Sequence, residues 1–385
     1  MRKSPLLVIF LIVLIDLLGF GIVIPILPYY ATQFGANAFT LGWLMTSYSL
    51  LQFIFSPIWG RLSDRIGRRP VLLLSVFGSA IALAVLGGAS NLAWLFLGRI
   101  LGGICSANIS TASAYITDVT TEANRTKGMG IIGAGFGLGF VFGPAIGGVL
   151  SKYGYSVPMY FASCLAIVNF VFVFLVLKES NTNRLPRQSK LNSSALKTAF
   201  GDARTRAAIF LFFIITLAFT QMEVTFALFM KAKFSLDAHS TGWLLAFMGI
   251  VMAIMQGGLV GRLSRIFGEL RLIMFGTLIM ATALFIMTNS GVLSGVVVAM
   301  GLVAIGYGMN NPSLSSLASK GASASRRGTV MGVYQSAGSL SRILGPPLAG
   351  YLFDQTSVSA PFLCASGLML LAFLLASYFS IVIRK

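Results

Sequence analysis

The sequence predicts an all-α membrane protein with twelve transmembrane helices in two pseudo-symmetric six-helix bundles. Three observations predict it. Of 385 residues, 56% are hydrophobic and only 10% charged, whereas soluble domains carry about 25% charged residues. Apolar runs long enough to cross a bilayer, which takes about 20 residues, alternate with short loops. Landmarks of the first half also recur in the second in the same order.

The apolar runs lie near 5–31, 40–60, 70–89, 92–115, 127–150 and 157–177. A polar stretch from Lys178 to Arg206 follows, and six more runs lie near 207–231, 240–261, 271–289, 292–318, 328–352 and 359–382. The expected organisation is a first bundle over 1–177, a basic cytoplasmic linker over 178–206 and a second bundle over 207–385. Met1-Arg2-Lys3 leads into a full-length span containing Asp16 and several prolines, without a small-residue cleavage site. It reads as a retained helix rather than a signal peptide. Lys and Arg crowd the loops at 61–69, 125–127, 178–206, 262–271 and 326–327, while those near 33–39, 89–92 and 289–292 carry none. By the positive-inside rule both termini face the cytoplasm, with a bacterial cytoplasmic (inner) membrane as the expected location. The net charge of +18 therefore reflects topology, and no nucleic-acid partner is expected. Cys105, Cys164 and Cys364 sit within apolar runs and read as packing residues. His239, beside Asp237 in an outer loop, reads as solvated.

Gly60-Arg61-Leu62-Ser63-Asp64-Arg65-Ile66-Gly67-Arg68-Arg69-Pro70 is the most informative stretch. Its two glycines and proline predict a tight turn, and its arginines must lie at a membrane surface. Gly60-Arg61-Leu62-Ser63 recurs as Gly261-Arg262-Leu263-Ser264, and Gly42-Trp43-Leu44 as Gly242-Trp243-Leu244. Gly143-Pro144 recurs as Gly345-Pro346, and Arg125 as Arg327. An ordered series of this kind marks duplicated halves, which place a substrate site near the midplane where the halves meet.

On these residues the chain resembles the major facilitator superfamily, and within it the drug:proton antiporter branch that includes the tetracycline exporters. The first family signature matches Gly60 to Pro70. The fourth-span signature matches Leu95 to Gly103, with Arg99 in the arginine place. The fifth-span antiporter signature matches Gly133 to Gly148. The resemblance implies two domains that rock about a central cavity, a coupling role for a first-span acid, and an aspartate, here Asp64, that latches the closed cytoplasmic side. The chain departs from the tetracycline exporters at their acidic third-span residue, where it reads Ser79-Ala80-Ile81-Ala82. Their eighth- and ninth-span His and Asp fall at apolar places near Met252 and Met280. These departures argue against tetracycline–metal chelates and leave other lipophilic substrates open.

Asp16 lies about 17 Å into the first span, by 1.5 Å per residue. A buried carboxylate there is suited to loading and releasing a proton; a structural hydrogen bond to a neighbouring helix is the plainer alternative. Arg99, about 10 Å deep in the fourth span, needs a carboxylate or carbonyl partner. Glu223 and Arg342 lie about 24 Å and 21 Å into the seventh and eleventh spans. They align with Val23 and Phe140 of the first half, and charges unmatched by the repeat suit proton coupling or substrate contact.

Gly135, Gly139, Gly143 and Gly147 form a smooth helix face for close packing, and Pro144 weakens the helix among them. A cytoplasmic latch is expected from Gly60, Asp64, Arg65, Gly67, Arg68, Arg69, Asp118 and Arg125. In it, Asp64 would sit at a helix N-terminus, and Asp118 would pair with Arg65, Arg68 or Arg125. The repeat carries Arg265 at the Asp64 place and Lys320 at the Asp118 place, so the latch is asymmetric. Gln52, Asn108, Gln256, Asn310 and Gln335 are candidate polar contacts in a mostly apolar cavity that draws on Met222, Phe226, Met252, Met255 and Tyr334.

The chain holds no GxxxxGK[ST] loop, HExxH, zinc-type cluster or nucleophile elbow, so ATP-driven transport and enzymatic activity are not expected. No cofactor or metal is expected; a proton gradient is the energy source. The expected function is proton-coupled export of a hydrophobic or cationic small molecule by a monomer. A proton-coupled symporter or uniporter for a nutrient, metabolite or lipid is the alternative, and a non-transporting receptor a remote one.

Overall fold

The computed structural model describes residues 5–106, 108–181, 201–321 and 327–382. Among these the chain is helical throughout its ordered elements. In order they are α1 Pro5–Gln33, α2 Ala38–Ile66, α3 Arg68–Gly87, α4 Leu92–Val119, α5 Glu122–Leu150, α6 Ser156–Val176, α7 Ala203–Phe234, α8 Ala238–Phe267, α9 Glu269–Asn289, α10 Leu293–Lys320, α11 Arg327–Gln355 and α12 Ala360–Val382. α4 consists of two segments, Leu92–Cys105 and Asn108–Val119, and α8 contains a π-helical turn at Met255–Leu259. Eleven of these helices are long and apolar enough to cross a membrane among the described residues. The other is α11, whose apolar character is diluted by Gln335, Ser336, Ser339, Ser341 and Arg342. Most of the expected linker, residues 182–200, lies outside the described residues.

The Gly60–Pro70 stretch differs from the tight turn its glycines and proline predict. α2 continues as helix through Ile66, and the reversal falls on Gly67 alone, at φ 109° and ψ 161°. That backbone region is open essentially only to glycine. Pro70 does not interrupt α3 because it stands in the first turn, where a backbone N–H has no intrahelical acceptor. Gly268, at φ 78° and ψ 160°, makes the equivalent reversal between α8 and α9.

The chain divides into two compact units, one of Met1–Ala36, Ser47–Gln188 and Leu236–Ala246, the other of Asn37–Thr46, Ser189–Ser235 and Phe247–Lys385. In the first, the four glycines of α5 let α1 approach its backbone. A Cβ added at Gly139 would lie 2.9 Å from Leu17, at Gly143 2.6 Å from the Gly21 Cα, and at Gly147 2.7 Å from the Ile22 carbonyl. Gly135 faces Val13 and Leu17. α6 is tied to α1 by Asn169, whose Nδ2 donates to the Ile12 carbonyl at 3.0 Å. Val8, Ile9, Ile12, Leu72, Tyr115 and Val173 fill the core between these helices.

Two of the repeated sequence landmarks touch one another. In the first unit a Cβ at Gly242 would lie 2.6 Å from the Pro144 carbonyl. In the second, a Cβ at Gly42 would lie 2.9 Å from the Pro347 Cα and collide with the Pro346 carbonyl. The Gly-Trp-Leu and Gly-Pro repeats are thus the two sides of one backbone contact, built once in each unit.

The second unit centres on α7. From Ala218 to Met230 every residue is buried except Glu223, which is partly open. α9 and α10 cross closely at Gly276 and Gly306, each lying against the other's backbone. α12 closes the unit, with Phe362 packed on Phe229 at a centroid separation of 4.6 Å.

Candidate functional site

In the first unit, Asp16 of α1 and Arg99 of α4 meet around Tyr48 of α2. The Arg99 guanidinium lies 4.3 Å from the centre of the Tyr48 ring, a cation–π contact. Asp16 and Arg99 both act electrostatically on the Tyr48 hydroxyl, which also bonds Ser106. The geometry follows from Gly103, one turn after Arg99, where a Cβ would fall 2.5 Å from the Tyr48 carbonyl. Glycine there brings α4 onto α2 and sets the tyrosine ring under the arginine. Arg99 is buried at 7% exposure, while Asp16 is half-buried.

Asp16, Tyr48, Gln52, Ser79, Arg99 and Ser106 supply the polar lining of a cavity of about 70 Å³ inside this unit. Phe20, Val23, Leu83, Leu86 and Ile109 are among its apolar walls. A space of this size suits a few water molecules bridging polar groups. Drug-sized ligands need about 300–1,000 Å³. The cavity is therefore the size of a few water molecules and too small for a drug.

The second unit holds a comparable group. Glu223 of α7 and Arg342 of α11 both act on the Tyr307 hydroxyl of α10. Tyr307 stacks on Phe219 with centroids 4.0 Å apart, and Tyr334 stacks on Phe212 at the same distance. Phe212, Phe219 and Glu223 share one face of α7 by helical spacing, and Tyr334, Gly338 and Arg342 share one face of α11. Gly338 makes room for Phe212, whose ring a Cβ there would meet at 2.5 Å. Tyr48 and Tyr307 were absent from the sequence reading, because a tyrosine in an apolar run carries no signal by itself. The spacing of 334, 338 and 342 was legible, and its facing partner was not.

At the α2–α3 turn, Arg68 is the hub. Its Nη1 lies 2.6 Å from Asp64 Oδ1 and donates to Ser63 Oγ at 2.6 Å, while its Nε reaches Asp118 Oδ2 at 3.1 Å. Glu179, just after α6, caps α3 by accepting from the Arg68 and Arg69 N–H groups at 2.8 and 3.0 Å. Ser180 donates to Asp118 at 3.0 Å, Asn181 to the Asp64 carbonyl at 3.0 Å, and Arg69 to the Phe174 carbonyl at 2.6 Å. Asp64 therefore binds Arg68 rather than serving as a helix cap; Glu179, which the sequence reading omitted, is the cap. Arg65 is exposed, and Gly60 has open space where a Cβ would stand. The Arg125 side chain lies outside the described residues.

The candidate polar contacts scatter. Gln52 lines the small cavity, Gln256 is half-buried in the π turn of α8, and Gln335 is exposed. Asn310 is wholly buried, donating to Met280 Sδ at 3.5 Å, and so packs α10 on α9. The Asn108 side chain lies outside the described residues. Met222, Phe226, Met255 and Tyr334 are buried and Met252 is half-buried. His239 is half-buried rather than solvated, with Nδ1 3.0 Å from the Gly148 carbonyl. A carbonyl only accepts, so Nδ1 carries a proton. Nearby, the Ser240 N–H, 2.9 Å from Asp237 Oδ1, holds the Asp237 carboxyl below its usual range.

Comparison with known proteins places these features in context. The family model described as Major Facilitator Superfamily matches residues 9–346 and 224–384. The chain is 33% identical to the class D tetracycline resistance protein of Salmonella ordonez, over 93% of this chain and 92% of that one. It is 29% identical to multidrug resistance protein 2 of Bacillus subtilis (strain 168), over 96% and 93%. Among solved structures, the human organic anion transporter MFSD10 (TETRAN) is 26% identical, with a TM-score of 0.73 over 97% of this chain and 99% of that one.

Proposed function

Because the chain belongs to the Major Facilitator Superfamily, we propose that it is a secondary active transporter that exports a hydrophobic or cationic drug-like molecule in exchange for protons by alternating access. The observation that carries this reading is the acid–tyrosine–arginine group at a water-sized cavity inside the first unit. A proton site needs a carboxylate shielded from bulk water, a counter-charge that changes its partner when the proton arrives, and room for the water that delivers it. Asp16, Arg99 and the cavity supply these in turn.

With Asp16 ionised, its charge offsets Arg99 across Tyr48. With Asp16 protonated, that offset is lost while the Tyr48 ring still holds Arg99, and the charge inside the unit changes by one. A lipophilic cation favours the ionised form and a proton the neutral form, which is the competition an exchanger requires. The tetracycline and multidrug resistance relatives support an exported drug-like substrate. The apolar places near Met252 and Met280, where the tetracycline exporters carry a His and an Asp, favour a lipophilic molecule over a metal chelate. The alternative is proton-coupled symport or uniport of a nutrient, metabolite or lipid. The same reading places the protein as a monomer in a bacterial cytoplasmic membrane with both termini in the cytoplasm.

The test is flux of a panel of lipophilic cations in proteoliposomes under an imposed pH gradient. Wild-type flux should fall when the gradient is collapsed, and Asp16→Asn should lose the gradient-driven part. Flux that ignores the gradient overturns the exchange reading.

A further inference from the structure

We propose that Glu223, Tyr307 and Arg342 form a second proton-loading site, separate from Asp16, so that each cycle moves two protons. The inference rests on the exchange reading above. In each unit one acid and one arginine act electrostatically on the same tyrosine. The two trios are not copies of one another. The first takes its tyrosine from α2 and its arginine from α4, whereas the second uses α10 and α11. By the repeat, Glu223 falls opposite Val23, Tyr307 opposite Cys105 and Arg342 opposite Phe140. Duplication alone would have left the second trio at matching places. Its separate construction marks a feature with its own work to do.

The surroundings fit proton exchange better than a fixed structural pair. Glu223 is the one partly open residue between Ala218 and Met230, and Tyr307 and Arg342 are partly open as well. A carboxylate kept only for packing would be sealed with its neighbours on α7. The titratable groups around it are Tyr307 from α10, Tyr334 and Arg342 from α11, and Cys364 from α12. Arg342 balances the ionised carboxylate, and the Tyr307 hydroxyl can donate to it. The step itself is the making and breaking of one O–H bond at Glu223, with water supplying and removing the proton.

The test needs no knowledge of the substrate. Infrared difference spectra of the full chain in liposomes, taken between pH 5 and pH 9, read the C=O stretch of protonated carboxyl groups. Two membrane carboxyl bands should titrate, one lost in Glu223→Gln and the other in Asp16→Asn. Glu223→Asp should shift its band rather than delete it, which covers the case of a Gln variant that folds poorly. Retention of every titrating band in Glu223→Gln and of the same band position in Glu223→Asp overturns the proposal. A second arm uses ethidium with the membrane potential clamped at zero. The decimal logarithm of its gradient at zero net flux should change by two per unit of pH gradient. A slope of one overturns the second proton and leaves the exchange reading standing. A slope of zero takes down the exchange reading, while the infrared bands still decide whether Glu223 titrates.

Discussion

Arg68 and Glu269 hold the same place in the two halves with opposite charge. Each is the first helical residue after a positive-φ glycine, Gly67 or Gly268. Each pairs with the matching residue at the end of the next helix, Arg68 with Asp118 and Glu269 with Lys320. The pairing has survived duplication while both charges were exchanged. An ion pair is set by the product of its charges, so inverting both preserves the attraction.

This relation predicts a swap experiment. Arg68→Glu should destabilise the protein by about 1–3 kcal/mol, because it takes the arginine from both Asp64 and Asp118 and leaves Asp118 with Ser180 as a weaker, neutral donor. Adding Asp118→Lys should recover only part of the loss, since Glu at 68 would face Asp64 one turn earlier. Adding Asp64→Arg, the residue found at 265, should restore most of it. Thermal unfolding of the purified variants in detergent reads the series; a double variant no better than the single one would contradict the pairing.

Alanine should be worse at Gly67 than at Gly268. Both positions have a backbone that costs about 1–3 kcal/mol for other residues. A Cβ at Gly67 would also strike the Glu179 carboxylate, whereas at Gly268 the space is open. Equal losses of thermal stability in the two variants would remove Glu179 from its capping role.

The α1–α5 seam should tolerate nothing larger than glycine. Gly143→Leu would drive a side chain into the Gly21 backbone and should abolish transport or expression. Gly133→Ala, in open space on the same helix, should be neutral. Transport by both variants at the wild-type rate would place the seam elsewhere.

Tyr48 offers a separation of ring from hydroxyl. A desolvated cation–π contact is worth about 2 kcal/mol. Tyr48→Leu should therefore cut gradient-driven flux by roughly thirtyfold if Arg99 must be held in place. Tyr48→Phe keeps the ring and should stay within a few-fold of wild type while its pH profile moves. A full loss in Tyr48→Phe would show that the hydroxyl, not the ring, matters.

Asp237 should stabilise the start of α8 in a pH-dependent way. Its carboxyl is held below the ordinary range in the folded chain. The contribution is therefore complete above the unfolded value and disappears as pH falls through the folded one. Asp237→Ala should cost about 0.5–2 kcal/mol near neutral pH, and the difference from wild type in thermal unfolding should vanish in acid.

Much of the fold was legible because its signals are local. A bilayer demands long apolar helices, and the apolar runs gave their order and approximate bounds. The glycine spacing at 135, 139, 143 and 147 showed a smooth face, although not that α1 covers it. The Gly60–Pro70 stretch reads as a longer turn than the single reversal at Gly67, because glycine permits a helix as well as a break. The four intramembrane charges stood out by their cost in an apolar run, whereas their tyrosine partners did not.

The sequence by itself determined the helix order, the duplicated halves and the residues too polar for their surroundings. Each follows from composition and spacing along the chain. Tertiary structure alone decided that Gly103 sets Tyr48 beneath Arg99, that Arg68 chooses Asp64 and Asp118, and that Glu179 caps α3 across more than 100 residues of chain. Those choices depend on which helix faces meet, and the meeting of faces is a property of packing in three dimensions rather than of any stretch of sequence.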